Sequence, residues 1–123
     1  MDDAFKASKI DDLPQIWDGF AKLVREGLDI SAFGAQIMDL PPDYETKSHD
    51  ESDSGQEELY VALSGSGAVV MGDGERVTLD PQHVVAVAPQ TSRTLASDGD
   101  GLRVLCIGSA PGTGYEPPEW TQG

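Results

Sequence analysis

Cysteine is almost missing from this 123-residue chain: Cys106 is the only one. A lone thiol excludes an internal disulfide and suits a reducing compartment. It sits in the apolar run LRVLCIG, where the expected state is a buried, inert thiol rather than a nucleophile. Positive charge is also scarce. Eight Lys and Arg stand against 22 Asp and Glu, a formal net charge of −14. Fifteen acidic residues against five basic lie in residues 1–60, and seven against three in 61–123, so the excess leans N-terminal without forming a tail. Such a surface repels phosphate backbones and anionic lipid, which argues against nucleic-acid and membrane partners. It serves solubility, and it would also suit a salt-rich habitat. No stretch approaches the roughly 20 apolar residues of a membrane span. The opening MDDAFKASKIDDLP lacks the apolar core of a secretory signal. The expected location is therefore cytoplasmic. No base-and-nucleophile pairing is visible, so Ser or Cys hydrolase chemistry has no support.

What is present describes a folded domain. Hydrophobic residues make up 38% and charged residues 24%, and 123 residues can bury one core but not two. Fourteen glycines and eight prolines fit short strands joined by many turns. LPQIWDGFAKLVREGL places Ile16, Phe20, Leu23 and Val24 at helical spacing, as a short amphipathic helix or an arm over the domain. From Ser31 the period becomes two. In SAFGAQIMDL one face holds Phe33, Ala35, Ile37 and Asp39, and the other Ala32, Gly34, Gln36, Met38 and Leu40. The strand-length segments EELYVALS, GAVVMG, ERVTL, HVVAVA, SRTLAS and LRVLCIG follow. They are divided by GSG (65–67), GDG (72–74), DPQ (80–82), PQT (89–91) and DGDG (98–101). GSG and GDG read as hairpin turns, since no helix follows to make a phosphate cradle. Strands at this spacing predict an all-β sandwich or barrel.

One stretch carries chemistry: SHDESDSGQEELYVALSGSG, residues 48–67. His49 and Glu51 are two apart, as are Glu58 and Tyr60, so each pair shares a strand face. Glu57 and Glu58 point to opposite faces, and the spacing to Gly65 favours Glu58 as the inward one. The acidic DESD at 50–53 lacks the spacing and glycine of a calcium loop and reads as solvated. His83 reads as a surface-loop residue, and Trp17 and Trp120 as packing or dimer contacts outside the barrel.

From about residue 33 to 109 the chain resembles the small single-domain cupins. Their first motif runs His-x-His, a few residues, Glu, six residues, Gly. Here it falls on His49, Glu51 in place of the second histidine, Glu58 and, after LYVALS, Gly65. The second motif is a proline turn, a strand, another proline turn and a histidine. LDPQHVVAVAPQTSR supplies Pro81, Pro89 and Thr91, and Arg93 stands where the last metal histidine would be. The resemblance implies a double-stranded β-helix, the cupin or jelly-roll barrel, over residues 31–110. A short N-terminal arm or helix would occupy 1–30, and a coil packed on the barrel 111–123. It also implies a small-molecule site at His49, Glu51, Glu58, Tyr60 and Arg93, with an eroded metal site.

His49, Glu51 and Glu58 could still hold a divalent metal through one nitrogen and two carboxylates. Arg93 opposes this: a guanidinium about 5 Å from a divalent ion, at an effective dielectric near 20, is repelled by about 6–7 kcal/mol. Its planar fork instead suits a carboxylate, so an internal Arg93–carboxylate pair would replace the metal, unless the side chain swings out to solvent. The expectation is a cupin barrel binding a small, carboxylate-bearing or hydroxylated molecule, with no cofactor required or a weakly held divalent metal. The alternative is a metal-dependent cupin enzyme of dioxygenase, isomerase or lyase type. A homodimer is the expected assembly.

Overall fold

The period-two alternation that begins after Ser31 becomes strand β3, Gly34–Leu40, in the computed structural model, which describes residues 1–112 and 114–121. A 3-10 turn at Ile10–Asp12 precedes it, with β1 (Gln15–Ile16), β2 (Ala21–Leu23) and α1 (Val24–Leu28). After it come β4 (Glu57–Met71), β5 (Arg76–Leu79), β6 (Val84–Val87), β7 (Arg93–Ser109) and a 3-10 turn at Glu119–Thr121. The C-terminal coil expected over 111–123 lies outside the described residues at 113, 122 and 123.

Two of these strands are much longer than the segments the sequence suggested. GSG at 65–67 lies inside β4 and DGDG at 98–101 inside β7, which corrects the reading of both as turns between strands. The cause is positive-φ glycine within the ladder. Gly65 (φ 79°) pairs with Leu102 next to Gly101 (φ 76°) where the register shifts, and a Cβ on Gly65 would strike the Gly101 carbonyl oxygen. There the two long strands change partners together. Before that point β4 runs between β7 and β6; beyond it, between β7 and β5. The far half of β7 pairs with β3, and its near half meets the 44–49 segment through bridges at Glu45–Ala96 and His49–Arg93. All pairing is antiparallel, and long strands that pass from one set of neighbours to another make a jelly roll. GDG at 72–74 does form the β4–β5 hairpin.

The N-terminal segment corrects the single-helix alternative. Trp17, Asp18 and Gly19 all have positive φ, which no helix tolerates, so β1 and β2 form a hairpin that extends the sheet beside β3. Among the described residues only α1 is α-helical, and Asp29 in the left-handed region ends it after five residues. The core forms between the halves from Tyr60, Ala62, Val69, Leu79, Val85, Val87, Leu95, Leu102, Val104 and Cys106, with Met38 and Leu40 from β3. The outer face of β3 carries a charged tie. Asp39 accepts from Lys22 Nζ at 2.7 Å and from Arg103 Nε at 2.7 Å, and Arg103 reaches Asp11 at 2.9 Å. Among the described residues no helix is long and apolar enough to cross a membrane.

Candidate functional site

Strand pairing assembles the site. His49 and Arg93 sit directly opposite each other and exchange both backbone hydrogen bonds, at 3.0 and 2.9 Å. Glu58 and Tyr60 alternate inward on β4, Tyr60 pairs with Cys106 on β7, and Glu58 pairs with Gly108. A Cβ on Gly108 would press on Gln56 Oε1 at 3.0 Å and only touch Glu58 Cγ at 3.4 Å. Glu51 is held on the 50–55 loop, its N–H bonded to Pro89 O at 2.7 Å and its carboxylate accepting from Ser54 at 2.9 Å.

Glu58 is the hub. Its Oε1 accepts from Tyr60 OH at 2.7 Å and lies 3.2 Å from Arg93 Nη2 and 3.6 Å from His49 Nε2. Cys106 Sγ points at Oε2 from 3.4 Å, and His49 Nε2 is 3.7 Å from Glu51. The structure thus brings His49, Glu51, Glu58, Tyr60 and Arg93 together. Cys106 is buried, as expected of an inert thiol; its contact with Glu58 is an addition, and its register opposite Tyr60 is the signal that could have revealed it. His83 lies elsewhere, exposed and bonded to Asp80 at 2.7 Å.

Arg93 faces inward and its side chain is 0% exposed. Nε donates to Tyr60 OH at 3.3 Å and Nη1 to Thr91 O at 2.8 Å. Nη2, although 3.2 Å from Glu58, makes no directed hydrogen bond among the described residues, so it acts there as a charge. His49, Glu51, Glu58, Tyr60 and Cys106 line an open cleft of about 1040 Å³, but Arg93 does not. Arg93, expected as a handle for a carboxylate ligand, is therefore not part of the cleft surface; its guanidinium lies against Glu58, which is.

Burial raises the Glu58 carboxyl, but His49, Tyr60, the Arg93 charge and Cys106 together outweigh it, and it titrates below its ordinary value. The Glu58 carboxylate beside His49 lifts that imidazole above its ordinary range; burial and Arg93 oppose the rise, and Glu51 adds to it. Burial pushes both the Tyr60 hydroxyl and the Cys106 thiol up, so neither is an anion near neutrality. The signs set a pH window. Glu58's contribution is full above its unfolded value of 4.5 and is lost as pH falls through the depressed folded value. His49's is full below its unfolded value of 6.5 and is lost as pH rises through the raised folded value. Both operate between 4.5 and 6.5, so the melting temperature should peak there and decline on the alkaline side. His49→Gln should flatten the alkaline decline; an unchanged slope in that variant would contradict the assignment.

The ligand atoms of His49, Glu51 and Glu58 lie within 4.8 Å of one another, a donor set of the kind that takes a divalent cation. The fit is poor on one count: the Arg93 guanidinium already presses its charge on Glu58 Oε1, the central donor.

No protein-family model matches the chain, and no curated protein matches it. Solved structures do. A cupin protein from Bacteroides fragilis is similar over 98% of this chain and 96% of its own, with 22% identity and a TM-score of 0.71. A sugar phosphate isomerase from a cupin superfamily, from Silicibacter pomeroyi, is similar over 80% of this chain and 66% of its own (16% identity, TM-score 0.61). A predicted oxalate decarboxylase from Thermotoga maritima covers 73% and 78% (22% identity, TM-score 0.60). The antiparallel jelly roll, its two long bent strands and these likenesses agree: the chain is a small cupin domain in fold.

Proposed function

We propose that this cupin domain binds a small molecule in the cleft and does so without a metal, Arg93 supplying the positive charge at Glu58 that a cation would otherwise bring. The observation that carries this reading is the wholly buried Arg93 side chain with Nη2 3.2 Å from Glu58 Oε1. A divalent ion on Glu58 would stand about 5 Å from a charge that cannot be removed, a cost of about 6–7 kcal/mol at an effective dielectric near 20. Within the cleft the His49 side chain is 44% exposed and that of Glu51 24%, so both are open to a ligand. Elemental analysis tests the reading. Protein stripped and then exposed to Mn, Fe, Ni or Zn should retain well under one metal per chain, and a stoichiometric metal would sink it.

The second reading is a metal-dependent cupin enzyme with His49, Glu51 and Glu58 as ligands. It is favoured by the convergence of their donor atoms and by the enzymes among the structural neighbours. The elemental analysis decides between the two.

The reading includes a homodimer. The outward side chains of β4, β6 and β7 are apolar across matched registers: Leu59 faces Ala86 and Ile107, and Val61 faces Val84 and Leu105. Val84 is 66% and Leu63 41% exposed, on a sheet face that in a monomer would alternate to polar. Sedimentation should give twice the 13.1 kDa chain mass, and Leu63→Glu with Val84→Glu should give the monomer. A monomeric unmodified protein ends the dimer reading.

A further inference from the structure

The wall of the cleft is as unusual in composition as its floor. The chain has eight aromatic residues, and six of them line this one cleft: Trp17, Phe20, Tyr44, Tyr60, Tyr115 and Trp120. Trp17 and Trp120 stand together, with ring centroids 5.2 Å apart and planes inclined at 33°. They remain 56% and 42% exposed, so core burial does not explain them. Trp17 is also held at φ 55° and Asp18 at φ 56°, a left-handed conformation costing on the order of 1–2 kcal/mol for a residue with a Cβ. Strain that presents a half-exposed ring in the lining of a cleft points to a ligand.

Charge decides which ligand. The same lining carries the carboxylates of Glu26, Asp50, Glu51, Asp53, Glu58 and Glu116 against Arg25, Lys47 and the imidazole of His49. Arg25 is consumed by Glu26 at 2.7 Å, and Arg93 compensates Glu58 from behind. An anion is repelled by this excess, and a neutral polyol gains nothing from it. A cation is attracted twice, by the carboxylates and by the negative faces of the rings. One lining ring already faces a cation: the Arg25 guanidinium stands 5.6 Å over the centre of Tyr115.

We propose that the cleft takes a small organic cation, its alkylammonium-type charge meeting the Glu51 carboxylate, which no guanidinium compensates, and its alkyl surface lying against the ring wall led by Trp17 and Trp120. This rests on the small-molecule reading above and names the class of molecule.

Calorimetric titration of the full chain at fixed ionic strength tests it with three probes of one shape. These are choline, its uncharged carbon isostere 3,3-dimethylbutan-1-ol, and the anion 3,3-dimethylbutanoate. Choline should bind at least about tenfold more tightly than the isostere, and the anion should show no binding. Trp17→Ala should weaken choline about tenfold. Glu51→Gln should remove choline's advantage while leaving the isostere unchanged, with circular dichroism showing both variants folded. Equal binding of choline and isostere, binding of the anion, no binding of choline, or unaltered choline binding in both variants would each overturn the inference. If the isostere or the anion binds and choline does not, the cation inference falls and the small-molecule reading stands. If none of the three binds, the cation inference falls, and a thermal-shift screen with sugars and organic acids then decides the broader reading.

Discussion

Arg93→Met is expected to cost the fold about 3–5 kcal/mol, the range seen when one partner of a buried ion pair is removed. The shape of the aliphatic stem is kept, so cavity formation contributes little and the loss is electrostatic. Glu58, 12% exposed at its side chain, would be left with only His49, Tyr60 and Cys106 to hold its charge. Tyr60 and the Thr91 carbonyl would each lose a donor. Urea denaturation measures the loss. Adding Glu58→Gln to the variant should recover more than half of it, because a neutral amide no longer needs the guanidinium. A loss below about 1 kcal/mol would mean that the pair behaves like an exposed surface contact. The proposed substitution of arginine for a metal would then lose its basis.

The reverse experiment should restore a metal site. Glu51→His combined with Arg93→His removes the fixed charge beside Glu58 and adds two neutral nitrogen donors to His49 and Glu58. Relief of about 6–7 kcal/mol of repulsion corresponds to roughly five powers of ten in affinity. Some of this will be lost to imperfect ligand placement, so a gain of several powers of ten is expected. Competition against a chromophoric chelator with Mn, Ni or Zn reads it directly. Arg93→His alone should recover most of the gain, since the charge is the main obstacle. If the double variant holds metal no better than the unmodified protein, the guanidinium is not what excludes the ion.

The N-terminal region shows where reading along the chain stops. Ile16, Phe20, Leu23 and Val24 recur at helical spacing, yet Trp17, Asp18 and Gly19 take positive φ and the segment becomes a hairpin. A short apolar period is satisfied equally by a helix on a sheet or by edge strands extending one. Burial of Ala21 and Leu23 against β3 settles it, and no local signal records that contact. The glycine clusters show the same limit. GSG and DGDG have turn chemistry, but positive-φ glycine serves a hairpin and a bend within a long strand alike. Only GDG at 72–74 closes a hairpin.

By itself the sequence determined the all-β class, the shared parity of Glu58 and Tyr60, and an acidic surface. Each depends on neighbours one or two residues apart or on bulk composition, and both are complete in the chain. The tertiary structure alone decided that Arg93 turns inward, that Cys106 reaches Glu58, and that Trp17 meets Trp120 in the cleft lining. These contacts join positions 35, 48 and 103 residues apart (93−58, 106−58, 120−17). Parity tells which side of a strand a side chain leaves from. Where a long guanidinium or an indole ends depends on the cavity closed around it, and that cavity exists only once β4 and β7 have paired.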